Sequence, residues 1–434
     1  MRKMKDSGIE WIGEIPENWS VGKTLYGLSM PITDGPHETP ELYEEGIPFV
    51  SAEAVSNGNG KIDFEHIRGY ISKEYYDECC KKYTPAINDI YMIKSGATTG
   101  KIALVDTKEI FTIWSPLAVF RCNKNKCYYK YLYYVLQSDC YQKQIENGWS
   151  FGTQQNIGMR ILEKLLICYP EIQEQARIAD YLDQKCAEID AIIAAKEKTN
   201  ELLKERRQSI IYEAVTKGLD PTVPMKDSGI EWIGEIPESW NCKKIKYAFS
   251  LVAGATPKSG NEEYWDGDII WITPADYTTE DIYIYEGHKT ITTEGLNSCA
   301  TTMIPEESIV FSKRAPIGLV AINKVPLCTN QGCISCIPNK DIDSKFYYYV
   351  MSAFTKEFDL FGSGTTFKEI SAEAFANFVL PNTRIEEQIE IAEYLDLKCQ
   401  EINDLISSNN ATIEKLKEYR QSVIYEAVTG KIEV

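Results

Sequence analysis

The sixteen residues from Met4, MKDSGIEWIGEIPENW, return from Met225 as MKDSGIEWIGEIPESW with a single change. A longer repeat closes each half. IQEQARIADYLDQKCAEIDAIIAAKEKTNELLKERRQSIIYEAVT, from Ile172, returns from Ile385 as IEEQIEIAEYLDLKCQEINDLISSNNATIEKLKEYRQSVIYEAVT, identical at 27 of 45 aligned positions without a gap. A chain that writes a framework twice builds it twice, so this duplication constrains the fold more than any other feature. Its 434 residues also exceed one ordinary core. The plan is block (1–170), long helix (171–217), linker GLDPTVP (218–224), block (225–383), long helix (384–434).

The long repeats are helical by their periodicity. Apolar or small residues recur at Ala179, Leu182, Cys186, Ile189, Ile193, Leu203, Ile210 and Ala214, and again at Ala392, Leu395, Cys399, Ile402, Ile406, Ile413, Leu416, Val423 and Ala427. This is a coiled-coil seam with Lys196, Asn200 and Arg207 as polar interruptions. At 1.5 Å per residue each copy extends roughly 65 Å. SSNNAT (407–412) is a weak helix former and the place for the second copy to bend or loosen. Two such seams most simply bury each other as an antiparallel pair. Asp183-Gln184-Lys185 and Asp396-Leu397-Lys398 read as solvated faces.

The blocks between resemble each other only faintly. Short β-branched and aromatic runs (IPFVSAEAV, DIYMIK, KIALV, PLAVF; DIIWIT, SIVFSK, LVAINK) are punctuated by Gly, Pro and Asn. One helix candidate follows in each, residues 128–145 and 344–358. The fold class is therefore α+β: two globular, mostly-β domains and two long helices in a pseudo-twofold repeat. What repeats is scaffold, and what differs must supply selectivity.

The net charge of −18 argues against a protein that coats nucleic acid indiscriminately. The acid is unevenly placed. Residues 18–170 carry 16 basic and 17 acidic residues, whereas 242–383 carry 12 and 17. Thirteen cysteines without an export signal read as reduced thiols, and no apolar run approaches the length of a membrane span, so a cytoplasmic protein is expected.

In ordered motifs the chain resembles the specificity subunit of type I restriction–modification systems, over essentially its whole length. The motifs are SGIEWIGEIPENW and SGIEWIGEIPESW; DGPHETPELYEEGIPFVSAEAV (34–55) and GATPKSGNEEYWDGDIIWITPAD (254–276); DIYMIKSGATTGKIALV and SIVFSKRAPIGLVAI; GWSFGTQQNIGMRIL and GSGTTFKEISAEAF; and helices that begin near EQ and end in YEAVT. The resemblance implies two target-recognition domains, each reading one half of a bipartite double-stranded DNA site, held apart by the paired helices. It implies no active site in this chain. Two methyltransferase subunits, which hold S-adenosylmethionine, and the restriction subunits would supply the chemistry. This chain binds no cofactor of its own on that reading.

The residues speak against catalysis by this chain. The chain has no Pro-Pro, which removes the Asn/Asp-Pro-Pro-aromatic motif of amino-methyltransferases, and no Pro-Asp, which weakens a nuclease reading. SGATTGKI (95–102) fails as a phosphate loop, with three residues between Gly96 and Gly100 and Ile102 after Lys101. CTNQGCISC (328–336) contains Cys-x-x-Cys but no partner pair, so its thiols read as small apolar residues in strands. A symmetric scaffold that binds no DNA is the other alternative, and the dissimilar blocks speak against it.

Polar, glycine-flanked turns within the matched motifs are the candidate DNA contacts. In the first domain they are Lys94, Ser95, Thr98, Thr99, Lys101, Ser150, Thr153, Gln154, Gln155 and Asn156; in the second, Lys313, Arg314, Thr329, Asn330, Gln331, Ser363, Thr365, Thr366 and Lys368. Lysine suits phosphate, Gln and Asn suit adenine edges, and Arg314 suits guanine or a narrow minor groove.

Overall fold

The computed structural model describes residues 2–151, 155–277, 282–364 and 368–434. Thr153, Gln154, Thr365 and Thr366 lie outside them. The chain forms two compact units. One holds Met1–Lys196 with Asn410–Val434, and the other holds Glu197–Asn409. Each unit thus takes one block and a portion of both long helices, a division the sequence boundaries do not give.

In the first unit a four-stranded sheet runs in the order Thr33–Asp34, Leu117–Phe120, Ile90–Ile93, Ile102–Leu104, with antiparallel neighbours throughout. A second sheet places Ile47–Val50 between Tyr70–Ile71, antiparallel, and Thr112–Ile113, parallel. The second unit repeats the design. Its larger sheet has five strands, in the order Phe249–Ala253, Cys333–Pro338, Ile309–Ser312, Val320–Asn323, Tyr283–Ile284. Its smaller one sets Trp265–Ile272 between Lys289–Ile291, antiparallel, and Cys328–Thr329, parallel. The fully buried strands IYMI, LAVF and IVFS read as continuous apolar runs for this reason.

Three expectations need adjusting. IPFVSAEAV is a strand only to Val50, and Ala52–Asn57 is a short helix. The helix expected at 128–145 is two, Tyr129–Gln137 and Asp139–Asn147, because Ser138 is extended (ψ 146°) and its hydroxyl is drawn to Val135 O. Residues 344–358 likewise divide into Ser344–Ala353 and Thr355–Leu360.

The long helices are Ile172–Lys217 and Ile385–Val428. SSNNAT does not interrupt the second. In the second unit Asn409 donates to Asn200 (2.9 Å) and Arg207 to Asn403 (2.6 Å), an antiparallel register in which polar residues pair across the seam. In the first unit the matching arginine, Arg420, meets Asp190 at 3.0 Å.

The solvated-face reading fails for Asp183 and Asp396. Lys130 and Tyr134 both donate to Asp183, while Lys345 (2.6 Å) and Tyr349 (2.8 Å) donate to Asp396. Those hydrogen bonds hold both ammonium groups above their ordinary pKa. The glutamine of each EQ is buried and ties the helix start to its block. Gln175 accepts from Tyr128 N (2.8 Å), and Gln388 accepts from Asp343 N (2.9 Å) and donates to Thr383 O (2.7 Å).

The duplicated phrase forms the same hairpin twice, Met4–Asp6 with Glu14–Pro16 and Met225–Asp227 with Glu235–Pro237. In the first unit Ile12, Ile15 and Trp19 pack with Val423, Ile424 and Ala427, and Tyr425 donates to Ile12 O. In the second, Ile233, Ile236 and Trp240 pack with Ile211, Ala214 and Val215. The phrase is duplicated because each copy closes one end of a long helix.

Candidate nucleic-acid interface

The turns singled out in each block converge on one face of it, and backbone hydrogen bonds bring them together. In the first domain, residues 94–101 join the strands Ile90–Ile93 and Ile102–Leu104. Gly96 N donates to Gln155 O and Ile157 N to Lys94 O, both at 2.9 Å, so the strand pair Ser150–Phe151/Gln155–Asn156 is stitched to this turn. Lys94 N donates to Pro116 O (2.7 Å) and Ser115 N to Pro36 O (3.1 Å). The entry motif and the 114–116 turn therefore complete the face.

The second domain repeats this stitching. Ile370 N donates to Lys313 O (3.0 Å), Lys313 N to Gly332 O (2.8 Å), and Ala255 N to Thr329 O (3.0 Å). Ser363 and Glu369 exchange backbone bonds at 2.9 and 3.0 Å. The glycine heading each entry motif is required by contact. A Cβ on Gly35 would stand 1.9 Å from Ile113 O, and one on Gly254 would stand 2.1 Å from Asn330 O. The two faces share a backbone and differ in side chains, which is the arrangement two readers of different sequences need.

Within this frame the candidate side chains do different things. Lys94 is only 12% exposed and lies 3.4 Å from Asp34 Oδ2. Asp34 is buried and also draws Lys82 (2.5 Å) and His37 (3.3 Å). The expectation of Lys94 as a free phosphate ligand gives way to an internal anchor. Thr99 is half-buried and its hydroxyl donates to Gly96 O (2.7 Å), closing its own turn. Ser95 and Thr98 are half-buried, while Lys101, Gln155 and Asn156 are exposed. In the second domain Thr329 is buried against the core, so its side chain is removed from the contact set. Asn330 accepts from Gly332 N (2.8 Å), and exposed Gln331 accepts from Thr256. Ser363 is exposed, and Lys368, also exposed, pairs with Asp359 at 2.6 Å.

Lys313 and Arg314 converge on Glu369, at 2.7 and 3.2 Å. The hydrogen bond from Lys313 lowers the Glu369 carboxyl below its ordinary range despite partial burial. The cysteines of CTNQGCISC do not belong to this surface. Cys328, Cys333 and Cys336 are fully buried, and burial pushes the first two thiols up to about 11 and about 12. Among the described residues no cluster of His, Cys, Asp and Glu has the form of a metal site.

Two features of these faces lie outside the turns singled out in the sequence. The Arg68 guanidinium lies over the Trp114 ring, 3.7 Å from its centre. His288 Nδ1 stands 2.6 Å from Asp276 Oδ1. Both depend on strand pairings that no local pattern announces.

The family described as type I restriction modification DNA specificity domain matches residues 36–204 and 237–415, one match per half. This chain belongs to that family. A Methanocaldococcus jannaschii protein named for the type I restriction enzyme MjaX specificity subunit is 29% identical over 433 residues, covering 98% of this chain and 96% of its own. The EcoR124I/EcoR124II specificity subunit of Escherichia coli is 26% identical over 300 residues, covering 64% of this chain and 65% of its own. Among solved structures, a chain from a type I R-M system described for its complex assembly and conformational transition matches with a TM-score of 0.74. It is 16% identical, with 96% of this chain and 99% of that one covered. The HsdS subunit of Thermoanaerobacter tengcongensis has the same fold, with a TM-score of 0.52 and 17% identity over 96% and 98% of the two chains.

Proposed function

We propose that this specificity-family chain reads a bipartite double-stranded DNA target, one half-site with each domain, and serves as the docking scaffold of a type I restriction–modification enzyme. The observation that carries the reading is the stitched face present in both domains on one backbone plan with different side chains. Phosphate contacts hold such a domain in register, and groove contacts select sequence. In the first domain Ser95, Thr98, Lys101, Gln155 and Asn156 are the proposed contacts; in the second, Lys313, Arg314, Asn330, Gln331, Ser363 and Lys368.

The partners on this reading are two methyltransferase subunits, which hold S-adenosylmethionine and modify adenine, and restriction subunits that cleave. This chain supplies recognition alone and works in the cytoplasm with them. Exposed apolar residues at matching helix positions, Ile192 and Leu405 (47% and 54% exposed), support docking of two copies of one partner. Co-expression with a type I methyltransferase subunit, followed by mapping of methylated adenines, tests the proposal. A split motif is expected, two short specified halves separated by unspecified bases. A contiguous motif, or a purified complex that methylates nothing, overturns it.

A further inference from the structure

The end of the central strand of each smaller sheet is flanked on both sides in a similar way in the two domains. In the first, Val50 stands beside Ile113 on one side, and on the other side, just beyond the paired Pro48 and Tyr70, Arg68 N donates to Phe49 O (3.3 Å). In the second, Ile272 stands beside Thr329, and continuing the antiparallel register on the other side reaches His288. The residue following each parallel strand is bonded alike, Trp114 N to Val50 O (2.9 Å) and Asn330 N to Ile272 O (2.8 Å). Trp114 therefore corresponds to Asn330, and Arg68 and His288 both stand just before the antiparallel partner of the central strand. The same strand end carries unlike side chains in the two domains and borders the stitched face through the 114–116 and 330–332 turns.

Each of these side chains is held in place before any ligand arrives. Lys94, Lys313, Arg314 and Lys368 are all engaged by carboxylates. Exposed Arg68 forms no ion pair among the described residues and rests instead on the Trp114 ring. Glu53 feels the Arg68 charge, but its carboxylate is bonded to Ser51. Stacking on an indole restrains a long side chain while leaving the planar fork of N–H donors open at its edge. His288 is fixed by a different device. Asp276, 3% exposed, accepts from Thr273 N (2.7 Å), Thr273 Oγ1 (2.6 Å) and His288 N (2.6 Å), and it faces His288 Nδ1. The ring is 81% exposed, and Nε2 is left for an outside partner.

We propose that this strand-end position is a base-reading position in both domains, with Arg68 reading a guanine in one half-site and His288 reading a base edge in the other. A preorganised arginine fork matches the O6 and N7 acceptors of guanine in the major groove. A side chain ordered in advance also loses less freedom on binding. The inference rests on the bipartite-reader function proposed above and names residues within that site.

The test uses the full chain in complex with its methyltransferase and compares methylated motifs of wild type, Arg68→Ala, Arg68→Lys and His288→Ala. The wild-type motif is expected to contain a G·C pair in one half that becomes degenerate in Arg68→Ala. Arg68→Lys keeps the charge but loses the fork, and discrimination at that pair falls about tenfold or more. His288→Ala alters one position in the opposite half. Alteration of the same half by both variants overturns the proposal, as does uniformly weaker methylation with both halves unchanged. A wild-type motif that is not split overturns the functional reading, and this inference falls with it.

Discussion

Glu369 sits between the two cations best suited to DNA in the second domain, Lys313 at 2.7 Å and Arg314 at 3.2 Å. Its carboxyl is lowered first by the Lys313 hydrogen bond. The pairing is therefore complete above the ordinary carboxylate range and is lost only as pH falls through the lower, folded value. On the proposed reading, the acid competes at neutral pH with phosphate for both cations. Glu369→Gln should release them and strengthen binding to non-cognate duplex. The slope of log affinity against log salt should steepen by about one to two units. Anisotropy titrations of the methyltransferase complex between low and moderate salt measure this, and an unchanged slope means the pair does not restrain the cations. The sequence marks Arg314 through its turn, but nothing local to Glu369 identifies it as the partner of both. Lys94 teaches the same lesson, since Asp34 claims it from sixty residues upstream. Arg68 is harder still to read, because only the pairing of Ile47–Val50 with Tyr70–Ile71 on one side and Thr112–Ile113 on the other brings it to Trp114. Turn chemistry is local and legible, whereas the destination of a charge is tertiary.

At the scale of elements, helix periodicity was enough to place the seam, and even its polar interruptions are as expected. Asn200 is buried and bonded to Asn409. SSNNAT stays helical because tertiary packing outweighs weak propensity. What periodicity could not show is that the outer faces of the long helices hold the blocks. Asp183 and Asp396 look solvated beside their charged neighbours, yet each receives a lysine and a tyrosine from a helix about fifty residues away. Gln388 shows what such an anchor contributes. It is fully buried, accepts from Asp343 N and donates to Thr383 O. Gln388→Ala leaves buried backbone groups without partners, at a cost of roughly 1–3 kcal/mol. Calorimetry should show the transition of the second unit lowered by a few degrees, whereas Lys398→Ala, on the exposed face, should stay within about 0.5 kcal/mol of wild type. Equal shifts in the two variants would mean that the glutamine is not an anchor.

The largest-scale consequence of the duplication lies in how the units are composed. The first unit consists of Met1–Lys196 and Asn410–Val434, so its core closes only when the end of the chain arrives. Val423, Ile424, Ala427 and Val428 are all buried there, against Ile12, Ile15 and Trp19. Tyr131, at the base of the same core, donates to Val428 O at 3.2 Å. Removing residues 423–434 takes away four buried aliphatic side chains, each worth about 1–3 kcal/mol, and also uncovers the Trp19 indole. That loss is comparable with the whole stability of a typical domain, about 5–15 kcal/mol. All of those residues belong to the first unit. Hydrogen exchange on the truncated chain should therefore find protection lost in Ile90–Ile93 and retained in Ile309–Ser312, strands that occupy matching places in the two larger sheets. Protection lost in both strands would mean that the units fold as one cooperative body. Protection kept in both would mean that the N-terminal hairpin holds the first core without the helix end, and that the duplicated phrase does more than close a helix.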